Sequence, residues 1–314
     1  MRIAVMGAGG TGGYFGSLLA RAGEDLTLIA RGTQLAAILI HGLTVRSRLA
    51  GDFTIPIPIS GDAREVGVVD LVLFCVKTYD AAPAAAQLAP LIGPETAVLP
   101  LLNGVEHVDL LASAVGREHV LGGVAFVTAN VSAPAVIVQS GGPGQVLLGE
   151  LDGGRSARVE RIAAALSKAG IATEIPPDIQ LAMWEKFLFI CGFSGLTALT
   201  RLPIGNVCAE RPTCDLLAGV IAETADVARA SGIPLPTEAV GHAMRIARDF
   251  EPWSSGSMAH DLAHGNRLEL EALNGSVVRL GQQHGVPTPL SFAVYAALFP
   301  YVDGTPKLAQ PPEV

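Results

Sequence analysis

The chain has 314 residues, half of them hydrophobic, and a formal net charge of -8. That length suits two domains with a core each, and the acidic balance argues against a general nucleic-acid binder. No uncharged apolar run reaches the length of a bilayer span and no secretory leader opens the chain, so the expectation is a cytoplasmic protein without a membrane segment.

Arg2-Ile3-Ala4-Val5-Met6 is a short apolar run that suits a buried parallel strand. Gly7-Ala8-Gly9-Gly10-Thr11-Gly12 follows with the G-x-G-x-x-G spacing. The first glycine allows a tight turn, the second lets backbone approach a pyrophosphate, and the third removes a side chain where helix meets strand. A helix with Leu18, Leu19 and Ala22 comes next, kept close to the sheet by Gly13 and Gly16, and its first-turn N–H groups favour an anion. Leu26 to Ala30 reads as the second strand. Strand, glycines, helix and strand in that order point to a dinucleotide site at Gly7, Gly9, Gly10, Thr11 and Gly12, against a merely structural turn.

The residue ending the second strand selects the dinucleotide. An acid there would take a free ribose 2′-hydroxyl, and an arginine can pair with a 2′-phosphate. The chain has Arg31, with Asp25 placed before the strand and no further acid until Asp52. A solvated strand-end charge is the plainer alternative, but the pattern favours NADPH/NADP+.

Thr33 to Ile40 continues as a short helix, Thr44-Val45-Arg46 follows a turn, and Phe53 to Ile59 alternates like one strand broken by Pro56 and Pro58. Asp70 to Val76 and Ala97 to Leu102 are two more buried strands, ending at Lys77 and Asn103. Either residue alone could be an ordinary loop group. In a doubly wound sheet both follow strand carboxyl ends on the rim of the glycine turn, which favours contact with cofactor or substrate. Val120 to Val131, Ala135 to Gln139 and Gly144 to Leu148 read as short strands completing the first sheet. Ser156 to Gly170 is an amphipathic helix and Ile171 to Ile175 a last strand.

Pro176-Pro177 interrupts, and helical periods follow, so the expected division is 1–176 and 177–314. A helix from about Asp178 to Thr200 is apolar nearly all round, yet it carries Lys186, with Ile190 and Ser194 on the same face. A lysine there must be paired or snorkel to water, and its readily shifted pKa suits proton transfer. Pro212 to Ala230 and Thr237 to Phe250 are two more helices. Ser257 caps a segment to His264, Arg267 to Gln283 forms a helix bearing Glu269, Glu271 and Asn274, and Ser291 to Pro300 is a last short helix. The tail Gln310 to Val314 has a frayed composition.

Cys75, Cys191, Cys208 and Cys214 make no C-x-x-C pair, which favours reduced thiols. His260 and His264 share a helical face at a spacing zinc can use, but no glutamate lies between them and no cysteine is close by in the sequence. Solvent-facing histidines are expected, and no metal. The apolar helical half could equally carry a core or a homodimer interface.

The landmarks GAGGTGGYFG, LIAR, FCVKTYD, LLNG, WEKF, SSGSM and LELEALNG, followed by RLGQQHGVPTP, occur in an order that resembles the ketopantoate reductase family along nearly the whole chain. The resemblance implies an α/β N-terminal Rossmann domain, with a doubly wound and mostly parallel sheet, followed by an all-α C-terminal domain. It implies an NADPH-dependent reductase that turns a 2-oxo acid into the 2-hydroxy acid, foremost 2-dehydropantoate to (R)-pantoate in pantothenate biosynthesis. Lys186 then looks like the general acid and Glu269 its carboxylate partner. Asn103 and Lys77 look like residues beside cofactor and substrate, Ser257 like the serine for the substrate carboxylate, and Arg31 like the 2′-phosphate contact. Asn274 matches the motif with a weaker claim to a direct role.

One departure stands out. Where the better-known pantoate-forming members carry asparagines after the lysine, this chain has Ile190 and Ser194. Isoleucine neither donates nor accepts for a substrate hydroxyl, so another branched or aromatic 2-oxo acid is the alternative substrate. A non-catalytic NADPH-binding sensor is the alternative from another class, and the presence of Lys186 speaks against it.

Overall fold

Alternation along the first strand sorts its side chains between two cores. The computed structural model describes residues 1–306. In chain order the elements are β1 (Arg2–Met6), α1 (Gly10–Arg21), β2 (Asp25–Ile29), α2 (Gly32–His41), β3 (Leu43–Ser47), β4 (Phe53–Ile55) and β5 (Ile59–Ser60). They continue with α3 (Ala63–Val66), β6 (Leu71–Phe74), α4 (Ala81–Ala85), β7 (Ala97–Pro100), α5 (His107–Val115), β8 (Leu121–Ala133), β9 (Val136–Glu150), α6 (Ala157–Lys168) and β10 (Ala172–Glu174). Helices follow: α7 (Ile179–Thr200), α8 (Ile204–Ala209), α9 (Arg211–Ala230), α10 (Ala239–Asp249), α11 (Ser257–Ala263), α12 (Asn274–His284) and α13 (Pro289–Leu298).

The first sheet is parallel throughout, in the order β5-β2-β1-β6-β7. Ile3 and Val5 point to the side of α1, while Ala4 and Met6 join a second cluster with Ala81, Ala84, Leu88 and Leu111. Both faces are covered, which is why these strands read as continuous apolar runs. Strand order reverses beside β1, and in such sheets ligands bind beyond the carboxyl ends at that point.

The second sheet corrects one expectation. The strand signals from Val120 to Leu148 are not short strands completing the first sheet. They are two long antiparallel strands, β8 and β9, with register shifts near Phe126, Thr128 and Val131. With β10, β3 and β4 they build a separate sheet. Gly141, Gly142 and Pro143 lie within β9 and are absorbed in the irregular pairing of the two long strands. The Phe53 to Ile59 run is likewise two strands: β4 pairs with β3 in the second sheet and β5 with β2 in the first. Pro56 and Pro58 lack the N–H a ladder needs, so the run changes sheets there.

α1 lies between the two sheets. Side chains at Gly12 and Gly16 would meet Val5 and Leu28 of the first, and one at Gly13 would meet Ile137 of the second. Tyr14, Phe15 and Leu19 are buried there, each worth about 1.5–3 kcal/mol relative to exposure.

The chain divides into compact units Met1–Met183 and Trp184–Val314, the second helical. α7 runs across that division. It is the one helix among the described residues long and apolar enough to cross a bilayer, and 67% of its most apolar window is buried in the fold. Within the helical unit, Gly192 brings α7 close to Leu217 and Ile221 of α9. Three local expectations change here. α8 lies between the helices expected to end at Thr200 and to begin at Pro212. Ser257 is the first residue of α11, not its cap, and the preceding Gly256 makes no side-chain cap. The Arg267 to Gln283 segment is not one helix: a short 3-10 turn covers Leu270–Ala272 and α12 begins at Asn274, so Glu269 sits ahead of both. The tail Gln310 to Val314 lies outside the described residues.

Candidate functional site

The four strand ends of the first sheet bring the N-terminal candidates together. β2, β1, β6 and β7 are adjacent and parallel, so Arg31, the glycine turn, Lys77 and Asn103 leave the sheet from one edge. Gly7 adopts φ +103°, and a Cβ there would lie 2.9 Å from the Cys75 carbonyl oxygen. Both facts demand glycine. Its N–H donates to the Ile29 carbonyl at 2.9 Å, fixing the turn against β2. A Cβ at Gly12 would stand 2.1 Å from the Gly7 carbonyl oxygen, and one at Gly10 would stand 1.9 Å from that of Ala129. Gly9 differs, because no atom comes within 4 Å of its Cβ position. Open space at the second glycine is what close approach of a pyrophosphate requires. Gly9 also begins α1 with no side-chain cap, and no acid occupies the first turn. Thr11 is half-buried in that turn. The turn therefore fits a dinucleotide phosphate at a helix N-terminus.

Arg31 is exposed, and its Nη2 lies 2.6 Å from Asp80 Oδ2. Asp80 closes the short turn after Lys77, and its N–H donates to the Lys77 carbonyl at 2.8 Å. An exposed pair of this kind adds little stability, but it holds the guanidinium beside the strand ends. Gln34 of α2 donates to the Ala8 carbonyl at 2.9 Å and accepts from the Ala135 N–H at 3.0 Å, tying glycine turn, α2 and second sheet together. Lys77 and Asn103 are half-buried.

In the helical unit, Lys186, Ile190 and Ser194 lie along one stripe of α7. Lys186 is half-buried and Ser194 is 5% exposed. Desolvation pulls the Lys186 pKa down to about 8, against an upward pull from the Glu269 carboxylate. Glu269 is 7% exposed. The structure thus brings together the lysine and the carboxylate that the motifs suggested, from positions 83 residues apart in number. A desolvated, easily deprotonated ammonium under the pull of a carboxylate can give and retake a proton near neutral pH.

The segment before Ser257 lies against the same helix. A Cβ on Gly256 would come 2.7 Å from Ser194 Oγ, and the Gly256 N–H donates to Thr197 Oγ1 at 3.1 Å. Ser257 itself is exposed. Asn274 is fully buried, and its Nδ2 donates to the Cys191 carbonyl at 3.3 Å, so it braces α7 from the start of α12.

Asp80, Gln34 and Thr197 escaped the sequence reading. Thr197 stands one turn beyond Ser194, so the spacing of the α7 stripe could have suggested it. Asp80 and Gln34 carry no local signal, because their partners come from other elements. His260 and His264 have ring centroids 4.1 Å apart, and the His264 Nδ1 contacts the His260 carbonyl at 2.8 Å. Among the described residues no group of three or more potential ligands could hold a metal.

The family description "Ketopantoate reductase PanE/ApbA" matches residues 3–153, and its C-terminal counterpart matches 178–301. A 2-dehydropantoate 2-reductase of Mesorhizobium japonicum is 32% identical, across 94% of this chain and 96% of its own. A solved PanE/ApbA family ketopantoate reductase from Ralstonia eutropha JMP134 superimposes with a TM-score of 0.87 at 34% identity, covering 96% of this chain and 98% of that one. D-mandelate dehydrogenase, solved with NADH and anilino(oxo)acetate, gives a TM-score of 0.88 at 26% identity, with coverage of 96% and 98%.

Proposed function

The chain belongs to the ketopantoate reductase family of oxidoreductases, and on that premise we propose that it reduces a 2-oxo acid to the 2-hydroxy acid with NADPH, 2-dehydropantoate to (R)-pantoate being the first candidate. The observation that carries the reading is Lys186, a desolvated ammonium with a pKa of about 8 under the influence of Glu269. Reduction of a ketone builds negative charge on its oxygen, and an ammonium both stabilises that charge and supplies the proton. Bound NADPH supplies the hydride. Gly7, Gly9, Gly10, Thr11 and Gly12 would hold its pyrophosphate, and Arg31 its 2′-phosphate. Lys77 and Asn103 would contact cofactor and oxo acid, and Ser257 would donate to the substrate carboxylate. Glu269 would orient Lys186.

A second reading concerns the substrate side chain. Ile190 offers apolar surface where a hydroxylated substrate needs a donor or acceptor, while Ser194 retains one hydroxyl. That favours a branched or aromatic 2-oxo acid, and D-mandelate dehydrogenase is a similar fold bound to a phenyl-bearing oxo compound.

NADPH consumption with a panel of 2-oxo acids, with and without an amine, tests both readings. Turnover of 2-oxo acids in the absence of amine, falling about 10²–10⁴-fold in Lys186→Ala, is expected. Parental turnover in that variant would overturn the assignment of the acid. The ratio of kcat/KM between 2-dehydropantoate and phenylglyoxylate decides between the substrates.

A further inference from the structure

Thr197 is fully buried on α7 and takes no part in the chemistry proposed for Lys186. A threonine inside a helix often satisfies itself by donating back along that helix. Thr197 does so, its hydroxyl donating to the Phe193 carbonyl at 2.7 Å. That bond commits the one proton the hydroxyl carries and leaves its oxygen as an acceptor. The Gly256 N–H, 59 residues further along the chain, donates to that oxygen at 3.1 Å. Gly256 is buried, so its N–H depends on this acceptor.

The loop between α10 and α11 is pressed onto α7 at this point. Gly256 has φ -67° and ψ 158°, an extended conformation open to any residue. Space alone therefore demands glycine: a Cβ there would lie 2.8 Å from Ser194 Cα and 2.7 Å from Ser194 Oγ. Earlier in the loop, the Gly205 and Ile204 N–H groups of α8 donate to the Pro252 and Ser254 carbonyls, each at 2.9 Å. The Phe250 ring packs 5.3 Å from that of Phe193, centroid to centroid. On the far side, the Ala259 and His260 N–H groups donate to the Gly256 carbonyl at 3.1 and 3.2 Å. Gly256 is thus tied through its N–H to α7 and through its carbonyl to the first turn of α11, whose first residue is the exposed Ser257.

We propose that Thr197 is a positioning residue of the oxo-acid site: its hydroxyl clasps Gly256 to α7 and so sets where Ser257 stands. The role rests on the reading of Ser257 as the donor to the substrate carboxylate. Hydrogen bonds weaken steeply away from good alignment, so a serine carried off by a loosened loop would lose its hold on a carboxylate. The charge of that carboxylate is the same before and during hydride transfer. Misplacing Ser257 therefore weakens ground state and transition state alike, and the loss appears in KM and not in kcat.

Steady-state kinetics on full-length T197V, T197S, S257A and T197V/S257A, with NADPH affinity from calorimetry, test the role. Valine keeps the shape of threonine and removes the acceptor. T197V should raise the KM for the oxo acid about 3- to 10-fold, the size of one neutral hydrogen bond. Its kcat should stay within about twofold of the parent, and its NADPH affinity should be parental. T197S keeps the hydroxyl and should restore the parental KM. In the S257A background T197V should add nothing to KM, because Thr197 acts through the serine.

A merely structural threonine would lower Tm in T197V and leave KM where it was, and that result would overturn the role. So would the same fold-increase of KM with and without Ser257. If T197V does not fold, Gly256→Ala reads the contact from the loop side. Its Cβ, 2.8 Å from Ser194 Cα, should lift the loop from α7 and raise KM in the parent but not in S257A. An unmoved KM in that variant would equally overturn the clasp. A parental KM in S257A would remove Ser257 from the carboxylate and the positioning role with it. A raised KM in S257A beside a parental KM in T197V would remove Thr197 alone.

Discussion

Replacing Glu269 with glutamine removes a charge while keeping the shape, and the protonation of Lys186 should respond in a calculable way. Lys186 sits at about 8 in place of 10.5, a difference of about 3 kcal/mol against the charged form at ~1.4 kcal/mol per pH unit. That is the balance after Glu269 has pulled upward, so without the carboxylate the pKa drops further. A neighbouring opposite charge is worth about one to three pH units, and the lower figure puts the variant near pH 7. A general acid must be protonated to act, so kcat should hold below the pKa and fall about tenfold per pH unit above it. The parent should lose rate above about pH 8 and Glu269→Gln above about pH 7. From protonation alone the variant would be about threefold slower at pH 7.5 and about tenfold slower at pH 9.

The assay is kcat from NADPH absorbance across that range at saturating oxo acid. A falling limb that stays in place, or moves upward, would refute the coupling of Lys186 to Glu269. The same depressed pKa has a signature in stability. Between about 8 and the ordinary 10.5 the unfolded chain holds more protons on Lys186 than the folded one, so unfolding free energy should rise with pH across that window. The penalty is fully present below about 8 and gone above 10.5, and Lys186→Met should remove that slope in denaturant titrations.

Other expectations follow from the nucleotide turn and the α7 stripe. Arg31→Ala should raise the KM for NADPH about 10- to 150-fold, the equivalent of about 1.5–3 kcal/mol for a charge-assisted hydrogen bond. It should leave the KM for NADH nearly unchanged, and equal losses with both cofactors would remove Arg31 from 2′-phosphate recognition. Gly10→Ala sets a Cβ 1.9 Å from the Ala129 carbonyl oxygen, whereas Gly9→Ala meets nothing within 4 Å. Thermal unfolding should therefore show a clear loss of Tm only in the first, and calorimetry should show weaker NADPH binding in the second. Unaltered nucleotide affinity in Gly9→Ala would count against pyrophosphate contact there. Ile190→Asn should shift the kcat/KM ratio toward 2-dehydropantoate over phenylglyoxylate by about tenfold, near the value of one gained polar contact. An unmoved ratio would mean that this position does not read the substrate side chain.

What the sequence alone determined is local. β1, the glycine turn, α1 and β2 occupy one short stretch in which each glycine has its own steric reason, so the nucleotide end was legible from residues 1–31. The α7 stripe was equally legible, because residues four apart on a helix share a face wherever the helix goes. What only the tertiary structure decided is which distant segments complete those patterns. Pro56 and Pro58 signalled a break, but not that the two sides would join different sheets. Gly10 looked like part of a phosphate turn, and only the second sheet's Ala129 reveals a packing demand as well. Glu269 read as helical because its spacing fits a helix, yet it stands before the 3-10 turn, where its carboxylate acts on Lys186. Asp80 beside Arg31 and Thr197 under Gly256 belong to the same class. Backbone periodicity is set by near neighbours in the chain, while the partner of a charge or a hydroxyl is set by whichever element the fold lays against it.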